Sequence, residues 1–151
     1  MSGPGRSIDR AVVVACARRW IGTPYRHGTA LQGVGCDCLG LVLGVWRTLY
    51  GDLPEPVPAY PADWAEAGRS ETLAAAAARH CASVPVANVR PGDLLLMRWR
   101  EHLPAQHCGF ATGAGRMVHA HAGAGVAEVA LGAWSRRVVF AFALPGLEDA
   151  A

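Results

Sequence analysis

Gly35-Cys36-Asp37-Cys38-Leu39-Gly40-Leu41-Val42 carries a cysteine out of a glycine-bearing loop and into an apolar helix. Past Asp37 the apolar residues Leu41, Val42, Val45, Trp46 and Leu49 recur at helical spacing, which makes Asp37 an N-cap and Cys38 the first helical residue. Free backbone N–H groups and the positive end of the helix dipole then surround the sulfur and favour its thiolate form. The Asp37 carboxylate opposes a second negative charge beside it, so a thiolate here needs a base or an imidazolium as partner.

Upstream, Ile8, Ala11, Val12, Ala15, Cys16 and Trp20 give a first amphipathic helix over Ile8 to Ile21, stopped by Gly22-Thr23-Pro24. A loop from Tyr25 to Gly35 delivers the chain to the Cys38 helix, which should end near Tyr50-Gly51. Downstream, four prolines between Asp52 and Pro61 exclude regular structure, and the five-alanine run predicts a helix from Ser70 to Cys81. After the Pro91-Gly92-Asp93 turn come short, glycine-bounded, strand-like runs: Leu94 to Arg98, Cys108 to Thr112, Arg116 to Ala120, Val126 to Leu131 and Arg137 to Leu144. Helices first and strands after predict an α+β fold, with N-terminal helices packed on an antiparallel sheet of roughly five to six strands.

A chain of 151 residues with 52% hydrophobic content is the size of a single domain, 1–151, with a core over roughly 8–144. A formal charge of +2 with scattered arginines argues against nucleic acid as a partner. No apolar run approaches the roughly 18 residues of a membrane span, and Met1 to Arg10 lacks a basic segment followed by an apolar signal core, so synthesis in the cytoplasm without a Sec-type signal is expected. Five cysteines, an odd number in such a chain, argue for reduced thiols. Cys16 and Cys81 fall in helical patterns and are expected as buried small hydrophobes.

Thr112-Gly113-Ala114-Gly115-Arg116 joins two strand-like runs into a predicted hairpin. A turn centred on Ala114 sets Gly109 opposite His119 and puts His107, His119 and His121 on one face. If that face packs near the start of the Cys38 helix, Cys38 can attack a carbonyl while His107 takes and returns the proton. A second imidazole, His119 or His121, would then fix the tautomer of His107. Backbone N–H groups at the helix start would stabilise the oxyanion. His27, His80 and His102 lack such a setting.

Four segments in order give the chain its resemblance to the NlpC-type cysteine peptidases, papain-like enzymes of bacterial cell-wall turnover. Trp20-Ile21-Gly22-Thr23-Pro24-Tyr25 resembles that family's Gly-Thr-Pro-Tyr loop, and Asp37-Cys38-Leu39-Gly40-Leu41-Val42 its Asp-Cys-Ser-Gly-Leu-Val motif. Arg90-Pro91-Gly92-Asp93-Leu94 is similar to the turn opening its sheet, and His107-Cys108-Gly109-Phe110 with Met117-Val118-His119-Ala120 to its two histidine strands. The resemblance implies a papain-like fold, Cys38 as nucleophile, His107 as general base and acid, and His119 rather than His121 as the third polar residue. It implies no metal or other cofactor.

The implied substrate is the γ-D-glutamyl to diamino acid bond of peptidoglycan stem peptides, with Tyr25 and Asp37 lining the pocket. Leu39 stands where relatives have a substrate-binding serine, which makes it a candidate specificity position. Cys36 creates a Cys-x-Cys pair, which opens a redox-sensitive reading beside the plainer one of a loop thiol without a role. The compact chain also resembles the peptidases of phage tails and gene transfer agents, which implies phage-like tail proteins as partners and action in the periplasm or cell wall.

Three other readings compete. One is a metal site built from Cys36, Cys38, Cys108 and a histidine, which the one-residue cysteine spacing fits poorly. Another is a catalytically silent tail-assembly protein, which has no need to keep Cys38, His107 and His119 together. The third is an amidase or acyltransferase on the same scaffold, which shares the thioester chemistry.

Overall fold

The computed structural model describes residues 7–57 and 71–148. Strand β1 (Ile8–Asp9) leads directly into α1 (Arg10–Arg18), whose N-cap Asp9 accepts the Ala11 N–H at 2.9 Å. Val13, Val14, Cys16 and Ala17 form its buried face. The helix ends at Arg18, three residues short of the predicted Ile21, and residues 19–22 form a turn closing at Gly22 with φ of 92°. The predicted start also differs, because Ile8 and Asp9 pair in parallel with β10 (Leu147–Glu148) at the far end of the chain.

A small hairpin, β2 (Ala30–Leu31) and β3 (Gly35–Cys36), precedes α2 (Cys38–Tyr50). Leu41, Val45 and Leu49 are the buried stripe of α2, and Gly51 with φ of 89° ends it. Gly44 leaves room for the Trp20 indole, since a Cβ there would lie 2.0 Å from the ring. Residues 52–57 have no regular structure, as the prolines require, while Pro58 to Pro61 lie outside the described residues. Helix α3 (Thr72–His80) realises the alanine-rich prediction within its bounds, and Ser70 lies outside the described residues.

Six antiparallel strands follow: β4 (Ala82–Val84), β5 (Leu94–Met97), β6 (His107–Gly113), β7 (Arg116–His121), β8 (Gly125–Ala130) and β9 (Val138–Ala143). Their spatial order is β4-β9-β5-β6-β7-β8. The architecture is the predicted α+β arrangement. The edge strand β4 was not legible, because Ala-Ser-Val carries no alternation and its partner Phe142 lies far along the chain.

The pleat divides the sheet into two apolar faces. Leu94, Leu96, Cys108, Phe110, Val118, Ala120, Val126 and Phe142 pack with Cys38, Leu41 and Val45 into the main core. Leu95, Met97, Ala111, Met117 and Ala141 form a second cluster on the other face, with Trp134 and Val138 against it. Arg10 locks α1 to the sheet: its Nη1 donates to Asp93 Oδ1 at 2.7 Å and to the Pro91 carbonyl at 3.0 Å. Asp93 is fully buried, and its other oxygen accepts the Arg90 N–H at 2.9 Å, so one carboxylate satisfies both the turn and the guanidinium.

Candidate active site

Asp37 builds the platform on which Cys38 stands. Its Oδ1 accepts the Gly40 N–H at 2.7 Å as the predicted N-cap, and its Oδ2 accepts the Gly28 N–H at 2.8 Å. His27 Nδ1 lies 3.7 Å from the same Oδ2. Both oxygens are therefore engaged in holding the Tyr25–Gly35 loop to the helix start. Gly40 is part of this joint: a Cβ there would sit 1.9 Å from the Thr29 carbonyl oxygen.

Cys38 is 9% exposed, with its Sγ 3.6 Å from the Gln106 carbonyl oxygen. That carbonyl favours the protonated thiol. Two side chains act against it: interaction with the Cys108 thiol, and then with the His107 ring, holds the pKa of the sulfur below the ordinary thiol range. Burial and the Asp37 charge oppose this shift without cancelling it. Cys108 moves the opposite way, its thiol held protonated by its interaction with Cys38 and by burial.

The hairpin register matches the prediction, with Gly109 opposite His119. The turn itself is Ala114-Gly115, both at positive φ, and an irregularity between Ala111 and Gly113 absorbs the odd residue. His107 Nε2 lies 2.7 Å from His119 Nδ1, and both residues are 3% exposed. Burial, followed by the His107 and His121 charges, lowers the His119 pKa to about 4. A neutral His119 can accept at Nδ1 from an imidazolium at position 107, while the Nδ1 of His107 remains for the sulfur. His121 lies further out, its ring centroid 6.3 Å from that of His107.

The sequence reading required the imidazole face near the start of the Cys38 helix. The face packed along α2 is the alternate one, carrying Cys108 and Phe110. His107 sits on the face of Met97 and Trp134, and the thiol meets it at the first residue of β6, beside the Gln106 carbonyl.

Tyr25 is half-buried, packs on the main core and bridges Cys36 in parallel. Burial, then the charges of Cys38 and Asp37, push its phenol up to about 12, which keeps it a hydrogen-bond donor beside the thiol. Leu39 turns elsewhere. It lines an apolar cleft of about 280 Å³ between α2 and α3 with Val42, Trp46, Leu73 and Ala77, a lining that does not include Cys38. Cys36 is not a loop thiol but a fully buried residue of β3. Cys16 is buried as expected, whereas Cys81 is only partly so.

Sequence reasoning missed the aromatic wall. Trp134 stacks on His107 at 5.3 Å and 27°, and Trp99 approaches the same ring at 5.0 Å. Arg137 lies over both indoles, at 5.5 Å from Trp134 and 5.9 Å from Trp99. Trp99 sits in an irregular segment and Trp134 in a short 3-10 helix, Gly132–Arg137, and neither stretch has a periodicity that gives a direction. Cys108 was singled out only as a candidate metal ligand beside Cys36 and Cys38, although strand alternation alone turns it to the face opposite His107. Among the described residues no group of three or more His, Cys, Asp or Glu side chains is arranged to hold a metal ion, and no helix is long and apolar enough to cross a membrane.

Comparison with known proteins gives concordant results. The profile of the NlpC/P60 family matches residues 22–142. A protein of Mycobacterium tuberculosis (strain H37Rv) named "Probable endopeptidase" is 31% identical over 115 residues, covering 76% of this chain and 24% of its own length. The chain thus spans about a quarter of the curated relatives it matches. Among solved structures, the NlpC/p60 domain of the peptidoglycan hydrolase SagA aligns with a TM-score of 0.62 at 24% identity, over 91% of this chain and all of that one. An NlpC/P60 protein from Bacillus cereus aligns with 0.64 at 17% identity, over 90% of this chain and 40% of its own. NlpC2 from Trichomonas vaginalis aligns with 0.63 at 14% identity, over 93% and 49%. These structural likenesses establish the fold.

Proposed function

The chain belongs to the NlpC/P60 family, and from that premise we propose that it is a cysteine peptidase hydrolysing peptidoglycan stem peptides at the γ-D-glutamyl to diamino acid bond. The observation that carries this reading is the Cys38 sulfur at the start of α2, its pKa lowered in part by the nearby His107, with His107 Nε2 in turn 2.7 Å from His119 Nδ1.

Cys38 attacks the scissile carbonyl carbon as a thiolate, and the backbone N–H groups at the start of α2 stabilise the oxyanion that forms. His107, as imidazolium, gives its proton to the departing amine and leaves a thioester on Cys38. The same ring then takes a proton from water, which attacks the thioester and frees the sulfur. Throughout, His119 holds the His107 ring from behind. Tyr25, kept protonated, is placed to donate to the substrate. Asp37 supports the site by holding the loop and the helix start rather than by offering a free carboxylate.

Mass spectrometry of muropeptides after digestion tests the assignment. Cleavage between D-glutamate and the diamino acid, lost in Cys38→Ala, is the expected result; unchanged cleavage by Cys38→Ala would refute it. As to place, we propose delivery in a phage-like particle and action in the periplasm or cell wall, a reading that rests on the motif resemblance. Co-purification with tail proteins supports it, and exclusive recovery with cytoplasmic complexes overturns it.

A further inference from the structure

The hydrolysis leaves one nucleophilic group at the site without a chemical step. Cys108 follows His107 directly, so the pleat turns it toward α2, where it is 1% exposed and packs in one cluster with Cys38. The Cys38 sulfur lies 3.6 Å from the carbonyl oxygen of Gln106, two residues before Cys108, and each thiol is the largest single influence on the pKa of the other. We propose that Cys38 and Cys108 form a reversible disulfide when a hydroperoxide reaches the site, a modification that withdraws the candidate nucleophile and preserves it.

The thiolate of Cys38 attacks one oxygen of the hydroperoxide, breaking the O–O bond; sulfur is oxidised to a sulfenic acid and the peroxide is reduced to hydroxide or alkoxide. The Cys108 sulfur then attacks the sulfenic sulfur, its proton leaves with the hydroxyl as water, and the S–S bond forms. The order is set by chemistry on both sides. Cys38 is the more exposed of the two, 9% against 1%, and has the depressed pKa, so it meets the oxidant first. Interaction with Cys38 is the largest cause of the raised Cys108 pKa, and that cause weakens once Cys38 is a neutral sulfenic acid. The resolving thiol is therefore released by the step that requires it.

Cys36 is the competing partner and is less well placed. It precedes the extended N-cap Asp37, whose ψ is −173°, so the Cα atoms of residues 36 and 38 lie roughly 6.6 Å apart, at the far limit of disulfide geometry. Bridging them also requires moving Asp37, which caps α2 and holds Gly28. The disulfide needs only the juxtaposition of Cys38 and Cys108; its regulatory consequence rests on Cys38 being the nucleophile.

The test treats wild type, Cys108→Val and Cys36→Ser with hydrogen peroxide, blocks remaining thiols, and maps the peptides by mass spectrometry before and after dithiothreitol. The expected result is a 38–108 linked peptide in wild type and in Cys36→Ser, with both thiols recovered on reduction. In Cys108→Val, Cys38 should pass instead to sulfinic and sulfonic acids that dithiothreitol does not reverse. Wild-type Cys38 over-oxidised while Cys108 stays alkylatable after unfolding, or a 36–38 link, overturns the proposal. Muropeptide cleavage run in parallel separates the two readings: a reversible 38–108 link with no cleavage in the reduced state sinks the peptidase and leaves the modification. Cleavage that peroxide abolishes irreversibly does the reverse.

Discussion

His107 and His119 stand on neighbouring strands with Nε2 and Nδ1 2.7 Å apart, in a diagonal relation set by the pairing of Gly109 with His119. A glycine at the facing position leaves room for this approach: a Cβ on residue 109 would lie 2.9 Å from the His119 Cβ. The bond engages His107 Nε2 and, in the proposed mechanism, leaves the other ring nitrogen to serve Cys38.

Loss of the orienting group should lower turnover more than binding. His119→Ala is expected to reduce kcat roughly tenfold to a hundredfold with KM little changed, and His107→Ala to reduce it by roughly 10²–10⁴, because proton transfer itself is removed. His119→Asn, whose side-chain oxygen can accept from His107, should recover part of the loss. Steady-state kinetics on a stem-peptide substrate checks all three, and an unchanged kcat in His119→Ala would contradict the role.

Asp37 separates into a geometric and an electrostatic contribution. Asp37→Asn keeps an acceptor for Gly40 but loses one of the two acceptors, which should cost about 1 kcal/mol in chemical denaturation. Its lost charge should lower the Cys38 pKa further, since the carboxylate opposes the thiolate. Ultraviolet thiolate absorbance measured against pH reads that shift, and a rise in the pKa would contradict it.

Gly40→Ala should destabilise the fold by about 1–3 kcal/mol or more, because the added methyl meets the Thr29 carbonyl, a main-chain atom with no rotamer to yield. Thermal unfolding checks the cost; a neutral result would show that the loop and helix are not pinned together here.

Acid should destabilise the protein in a defined window. His119 is neutral in the fold with a pKa near 4 against an ordinary 6.5, so its contribution is fully present above 6.5 and is lost as pH falls toward 4, where the unfolded chain alone takes the proton. The depressed Cys38 pKa acts in the same sense, its contribution being full above the ordinary thiol range and lost as pH falls through the depressed value. Denaturation midpoints across this range should fall for wild type and fall less for His119→Gln.

The site's local chemistry was legible because it is written in short range. The Asp37 cap, the Cys38 position and the Gly109 to His119 register each follow from a few adjacent residues whose spacing has one structural solution. The rest depends on distant encounters. Trp99 and Trp134 reach His107 from segments without periodicity, and β1 finds β10 across nearly the whole chain. Which sheet face meets α2 is a question of strand order and helix placement, and the alternation of residues 107 to 111 is compatible with both answers. Leu39 shows the same limit: that its side chain lines the apolar cleft against α3 follows from where α3 packs, which the motif does not contain.

The most direct test is the alkylation rate of Cys38 by iodoacetamide, followed by peptide mapping from about pH 5 to about pH 9 in wild type and in His107→Ala. A thiolate sustained by its neighbours predicts rapid labelling that has already levelled off well below pH 8 in wild type, with the profile displaced to higher pH when the imidazole is removed. Labelling that rises only through the ordinary thiol range, and identically in both proteins, would contradict the account.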